Sequence, residues 1–88
     1  MSENSTVEKR VREVIRDVLG VSQDRVDGFH DGTGLFGSLP ELDSMAVANL
    51  LTELEDRLGI IIDDDEVDGE MLEDFGGLVR FAKRKAEG

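Results

Sequence analysis

Cysteine is absent from this 88-residue chain. That excludes disulfide bonds, thiol nucleophiles, iron–sulfur clusters and cysteine-ligated zinc, and it leaves the redox compartment open. Histidine is almost as scarce. His30 is the single one, with no cysteine to pair with, so the chain offers no nucleophile–base couple of its own. Long apolar runs are also missing. No stretch nears the roughly 20 residues that cross a bilayer, and the polar start Met1-Ser2-Glu3-Asn4-Ser5 lacks the basic and apolar segments of a secretion signal. The expectation is a cytoplasmic protein that does not insert into membranes. Basic residues are the last shortage: 10 Lys and Arg against 21 Asp and Glu give a net charge of −11. Such a surface repels nucleic acid and anionic lipid, and its partners should present basic patches.

The acidity is concentrated. Residues 20 to 74 hold sixteen acids against only Arg25 and Arg57, whereas residues 1 to 19 balance and residues 75 to 88 carry a net charge of +3. The length allows one domain, residues 1–88, with a thin core because short chains bury only about 60% of their unfolded surface.

Ser5-Thr6-Val7-Glu8 has the form of a capping box and predicts a helix start. Val7, Val11, Val14, Ile15, Val18 and Leu19 then recur at three- and four-residue steps up to Gly20, one apolar stripe with a glycine stop. From Gly20 to Leu42 the pattern dissolves among Gly28, Gly32, Gly34, Gly37 and Pro40, which predicts a long loop. A loop of that length needs anchors, and Phe29, Leu35, Phe36 and Leu39 are the candidates. Asp43 is a suitable N-cap for a second long helix, with Val47, Leu50, Leu51, Leu54 and Leu58 inside it and Gly59 ending it. Ile60-Ile61-Ile62 reads as a core-filling turn, since no partner strand is evident. A short helix is expected within Asp63 to Gly69. Asp74 can cap a last helix whose inner face is Phe75, Leu78, Val79 and Ala82, with Gly76 and Gly77 each costing about 1 kcal/mol relative to alanine. Three main helices and one short one bury these stripes most economically as an all-α four-helix bundle with a long first loop and a short third helix.

The segment Leu35-Phe36-Gly37-Ser38-Leu39-Pro40-Glu41-Leu42-Asp43-Ser44-Met45 carries the most specific signal. A serine directly after an N-capping acid lies beside unpaired backbone N–H groups and the positive end of the helix dipole, where a phosphodiester is favoured. The segment resembles the signature of acyl and peptidyl carrier proteins: a long first loop, an Asp-Ser dipeptide at the start of the second helix, then an apolar residue. Leu58-Gly59-Ile60 is similar to the family as well. The resemblance implies a bundle of acyl-carrier type, with 4'-phosphopantetheine attached covalently to Ser44. A phosphopantetheinyl transferase would move it from coenzyme A, with Asp43 near the magnesium ion of that reaction. The arm's thiol would supply the sulfur this chain lacks and carry acyl groups as thioesters. The chain itself would be a monomeric carrier and no enzyme, in fatty acid or other lipid metabolism. It would be served by acyl-activating ligase or synthase enzymes whose basic patches meet Met45, Glu53, Glu55, Asp56 and Asp64. An acyl chain would find room near Ala46 and Ala48, beside Leu50, Leu51 and Leu54.

Three residues depart from the commonest pattern: Glu41 stands where a glycine is usual, and Ala46 and Asn49 replace acids typical of fatty-acid carriers. In this the segment is most similar to carriers associated with an acyl-activating ligase in exosortase-type gene clusters. Two alternatives remain at this point, an unmodified acidic interaction module and a weak calcium-binding protein. Asp64, Glu66, Asp68 and Gly69 occupy positions one, three, five and six of an EF-hand loop, but position twelve is Phe75 instead of the bidentate glutamate.

Overall fold

A computed structural model describes residues 3–87. Its elements in chain order are α1 (Glu3–Leu19), α2 (Gln23–Asp27), α3 (Ser44–Leu58), a 3-10 turn (Asp64–Glu66), α4 (Gly69–Glu73) and α5 (Phe75–Glu87). Helix α1 packs against α3, α5 and α2, and α4 packs against α5. The α1 stripe behaves as the spacing predicts: Val7, Val11, Val14 and Ile15 are buried, and Val18 and Leu19 pack against the core edge. Leu50 and Leu54 face it from α3, and Phe75, Leu78, Val79, Phe81 and Ala82 from α5. Gly59, at φ 65°, ends α3 in the left-handed conformation that glycine adopts most freely.

Several expectations change. Helix α1 begins at Glu3, so Ser5 lies inside it rather than capping it; an acid at that end suits the helix dipole. The long loop is not helix-free. Ser22 accepts a hydrogen bond from the Arg25 N–H and starts the five-residue α2, too short to leave a periodic trace. The region expected to hold one short helix holds the 3-10 turn, with α4 following it. Among the proposed anchors, Phe29 and Leu35 are buried and Leu39 packs at the core edge, but Phe36 is 51% exposed. Ile61 is 75% exposed; only its neighbour Ile62 packs against the core.

The loop is held by the backbone more than by its side chains. The Leu35 and Phe36 N–H groups donate to the Glu73 and Leu72 carbonyls at 2.9 Å, while Phe75 and Gly76 donate to Thr33 at 2.8 Å and Asp31 at 3.1 Å. An isolated antiparallel bridge pairs Gly34 with Asp74. This close approach explains Gly76: a Cβ there would meet the Asp31 Cβ at 2.9 Å and its carbonyl oxygen at 3.0 Å. The helix-propensity cost of that glycine is thus tied to seating the loop.

Arg12 joins the same region to α1. Its guanidinium donates to the Val26 carbonyl, to the Phe29 carbonyl at 3.0 Å and to Glu8 at 3.2 Å. It lies 4.6 Å from the centre of the Phe75 ring, and that ring meets Phe29 edge-on at 5.8 Å. Elsewhere, Arg57 on α3 reaches Asp17 on α1 at 2.9 Å. Asp17 titrates below its ordinary value, through its hydrogen bond with Arg16 first and with Arg57 second.

Replacing Arg12 with alanine orphans the Phe29 carbonyl, takes the charged donor from the Val26 carbonyl and removes a cation from an aromatic face, which should cost about 2–3 kcal/mol. In a domain of this size that lowers Tm by roughly 10–20 °C, measurable by circular dichroism. Lysine should restore only part, because a single ammonium lacks the guanidinium fork. Lowered in the folded state, the Asp17 pKa contributes stability above the unfolded value that is lost as pH falls through the folded one. Asp17→Asn should therefore lower Tm at about pH 6, and its gap from wild type should be smaller at about pH 3. A gap of equal size at both pH values would show that the carboxylate charge is not its source.

Candidate functional site

Helix α3 begins where the sequence indicates. Asp43 has extended backbone (φ −99°, ψ −176°), and its Oδ1 accepts the Ala46 N–H at 2.8 Å. Its carbonyl accepts the Val47 N–H at 2.9 Å. Behind the cap, Leu42 is buried at 5% exposure and its N–H donates to the Leu39 carbonyl at 3.0 Å, so the entry to the helix is nailed to the core. Ser44 is the first helical residue and is exposed.

Among the described residues, no group hydrogen-bonds to the Ser44 hydroxyl or to the Ser44 and Met45 N–H groups. The serine therefore offers an open oxygen next to two open donors at the positive end of a 15-residue helix. Among the described residues, none is hydrogen-bonded to it as a base. His30 is exposed in the loop, where its Nδ1 accepts the Gly32 N–H at 3.1 Å. With no base hydrogen-bonded to Ser44 among the described residues, the arrangement suits a residue that is modified rather than one that catalyses. A phosphodiester fits: its charge would meet the open donors without displacing any internal contact. The second carboxylate oxygen of Asp43 has no partner among the described residues.

The remaining expected site residues separate into two kinds. Met45 is 75% exposed, next to the serine. Asp56 and Asp64 are exposed, and no partner for either carboxylate occurs among the described residues. Glu53 instead accepts from Arg57 at 3.1 Å, and Glu55 accepts the Ile62 N–H at 2.8 Å, so both are half-occupied by the chain itself. Two of the three EF-hand acids, Glu66 and Asp68, are spent in the same way. Glu66 accepts from Lys85 at 2.9 and 3.1 Å and from the Asp63 N–H, Asp68 caps the Met71 N–H at 3.0 Å, and Phe75 is 1% exposed. No group of three or more metal-ligating side chains converges among the described residues. Ala46 packs at the core edge, whereas Ala48 is exposed.

Sequence reasoning passed over Arg25, whose guanidinium grips Glu41 at 2.7 Å from Nη1 to Oε2 and 3.4 Å from Nη2 to Oε1. The available signal was its rarity as one of two bases between residues 20 and 74.

Residues 9–81, which include Asp43 and Ser44, match the family model described as the phosphopantetheine attachment site. A holo acyl carrier protein from Nitrosomonas europaea, determined in solution by NMR, is 36% identical to this chain, covers 93% of it over 96% of its own length, and superposes with a TM-score of 0.82. The chain belongs to the acyl carrier protein family. As an acyl carrier protein it is a carrier and not an enzyme, and it works with a covalently attached phosphopantetheine. Proteins of this family meet phosphopantetheinyl transferases and acyl-handling enzymes. Among the described residues, no helix is long and apolar enough to cross a membrane.

Loss of the cap should be separable from loss of the attachment. Asp43→Ala should cost about 1 kcal/mol, while Asp43→Asn, which keeps an acceptor oxygen, should cost a few tenths. Urea titration of the apo forms checks this; equal losses in both variants would mean that the carboxylate charge, not the capping oxygen, holds the helix start.

Proposed function

We propose that Ser44 is the residue that carries 4'-phosphopantetheine and that residues 1–88 form one carrier domain, monomeric and cytoplasmic. The single observation behind the assignment is the exposed Ser44 hydroxyl on the first turn of α3, directly after the capping Asp43 and beside two open N–H donors. When bound, the arm supplies a thiol that holds acyl groups as thioesters.

The chain's own part is to fix the serine on a helix anchored by Leu42, to leave its oxygen unencumbered, and to meet the anionic phosphodiester with open backbone donors. Asp43 would sit near the transferase's magnesium ion, using the carboxylate oxygen not committed to the cap. Met45, Asp56 and Asp64 are the residues that partners touch, with Glu53 and Glu55 contributing charge while engaged internally. A dedicated acyl-activating ligase or synthase with a basic patch is the loading enzyme. Lipid metabolism, with fatty acid biosynthesis one of its pathways, supplies the setting.

Intact-mass measurement after incubation with a phosphopantetheinyl transferase, coenzyme A and magnesium tests the assignment. Wild type should gain one pantetheinyl group. Ser44→Ala should gain none and keep the helical circular dichroism of the apo form. A modified Ser44→Ala protein, or a group mapped to Ser38, would overturn it.

A further inference from the structure

The surroundings of Ser44 are poor in free charge although the chain is strongly acidic. Met45, Asn49, Thr52 and Asp56 recur at helical spacing and are all exposed, which gives α3 an outward face on which only Asp56 is charged. At about 1.5 Å per residue, Asp56 lies roughly 18 Å along the helix from Ser44. That is more than twice the Debye length of about 8 Å at physiological salt. Glu53 is nearer but is held by Arg57. On the other side of Ser44 stand Asp43, whose Oδ1 is committed to the cap, and Glu41, whose two oxygens face the Arg25 fork. The hydrogen bond from Arg25 also draws the Glu41 carboxyl below its ordinary value, and the facing charges of the pair offset each other.

We propose that Arg25 sets partner specificity at Ser44 by cancelling the charge of Glu41, so that enzymes meet the serine beside the neutral, exposed Met45 and the single carboxylate of Asp43 rather than beside two free carboxylates. This rests on the assignment of Ser44 as the attachment site. Arg25 acts through Glu41 and touches no substrate, so it is a positioning residue for charge. Enzymes that approach with clustered bases gain little near Ser44, whereas enzymes with an apolar contact surface lose nothing there. Glu41, an acid that this chain carries three residues before its serine, is made electrostatically silent by a base from a different helix. Without Arg25 the same carboxylate would be, after Asp43, the free acid nearest to Ser44 along the chain.

Steady-state kinetics of a broad-specificity phosphopantetheinyl transferase with a basic docking patch, with coenzyme A and magnesium, test this at about 0.1 M and about 1 M salt. Arg25→Gln should lower KM for the carrier about three-fold at the lower salt with kcat unchanged, as electrostatic steering acts on association. The gain should vanish at the higher salt and in the double variant R25Q/E41Q. Glu41→Gln, which frees Arg25, should raise KM. A KM for Arg25→Gln equal to or above wild type at about 0.1 M, or a gain that survives the loss of Glu41, would overturn the proposal. So would a change confined to kcat, which would mean that the pair holds the loop in shape. Modification of a Ser44→Ala control would overturn the Ser44 assignment itself, and the proposal with it, whatever the Arg25 variants do.

Discussion

The Arg12 guanidinium is the point at which the helical frame and the irregular loop become one structure. From α1 it reaches the carbonyls of Val26 and Phe29 at the end of α2 and covers the Phe75 ring at the start of α5. The Val26 carbonyl also accepts the Phe29 N–H at 3.2 Å, whereas for the Phe29 carbonyl, just beyond α2, Arg12 supplies the charge-assisted donor. Phe29 then packs edge-on against Phe75. The four backbone hydrogen bonds between residues 31–36 and 72–76 follow from that placement. Leu35 and Leu42 enter the core only because this staple brings the chain back across the bundle. The cap at Asp43, and with it the position of Ser44, comes at the end of this series.

Charge is used twice in the molecule. The few bases of the acidic middle are consumed internally, Arg57 on Asp17 and Glu53 and Arg25 on Glu41, and Lys85 of α5 holds Glu66 in the 3-10 turn. Exposed pairs of this kind stabilise little individually. Their larger effect is to decide which carboxylates are left for other proteins. Asp56 and Asp64 are left free, whereas Glu53, Glu55 and Glu41 are partly spoken for. A net charge of −11 therefore overstates the acidity that a partner meets close to the serine.

Holding a reactive arm without taking part in its chemistry makes particular demands on a small domain. The serine must be exposed, yet its helix must not move, because partners read its position as much as its identity. Ser44, the proposed attachment residue, meets both: it stands exposed on the first turn of α3, and Leu42, two positions before it, is buried. The sequence holds no cysteine that would compete with the thiol of the arm.

Much of the architecture was legible in the residues alone. The apolar stripes of α1, α3 and α5, the stop at Gly59, the cap at Asp43 and the exposed Ser44 are local matters of period, propensity and dipole, settled within a few residues of sequence. Residues 20 to 42 were not legible in this way. A five-residue helix shows no period, and a loop fixed by backbone hydrogen bonds to a distant segment leaves no side-chain pattern. Phe36 and Ile61, apolar and hence expected inside, point out because the burial of Leu35 and Ile62 leaves their neighbours no room on the same side. Likewise the Glu41 carboxylate is a free acid in the sequence and a cancelled charge in the fold, because its partner lies sixteen positions away on another helix. Local chemistry determined where the serine and its helix begin; long-range packing alone decided which charges and which apolar side chains remain for a partner to find.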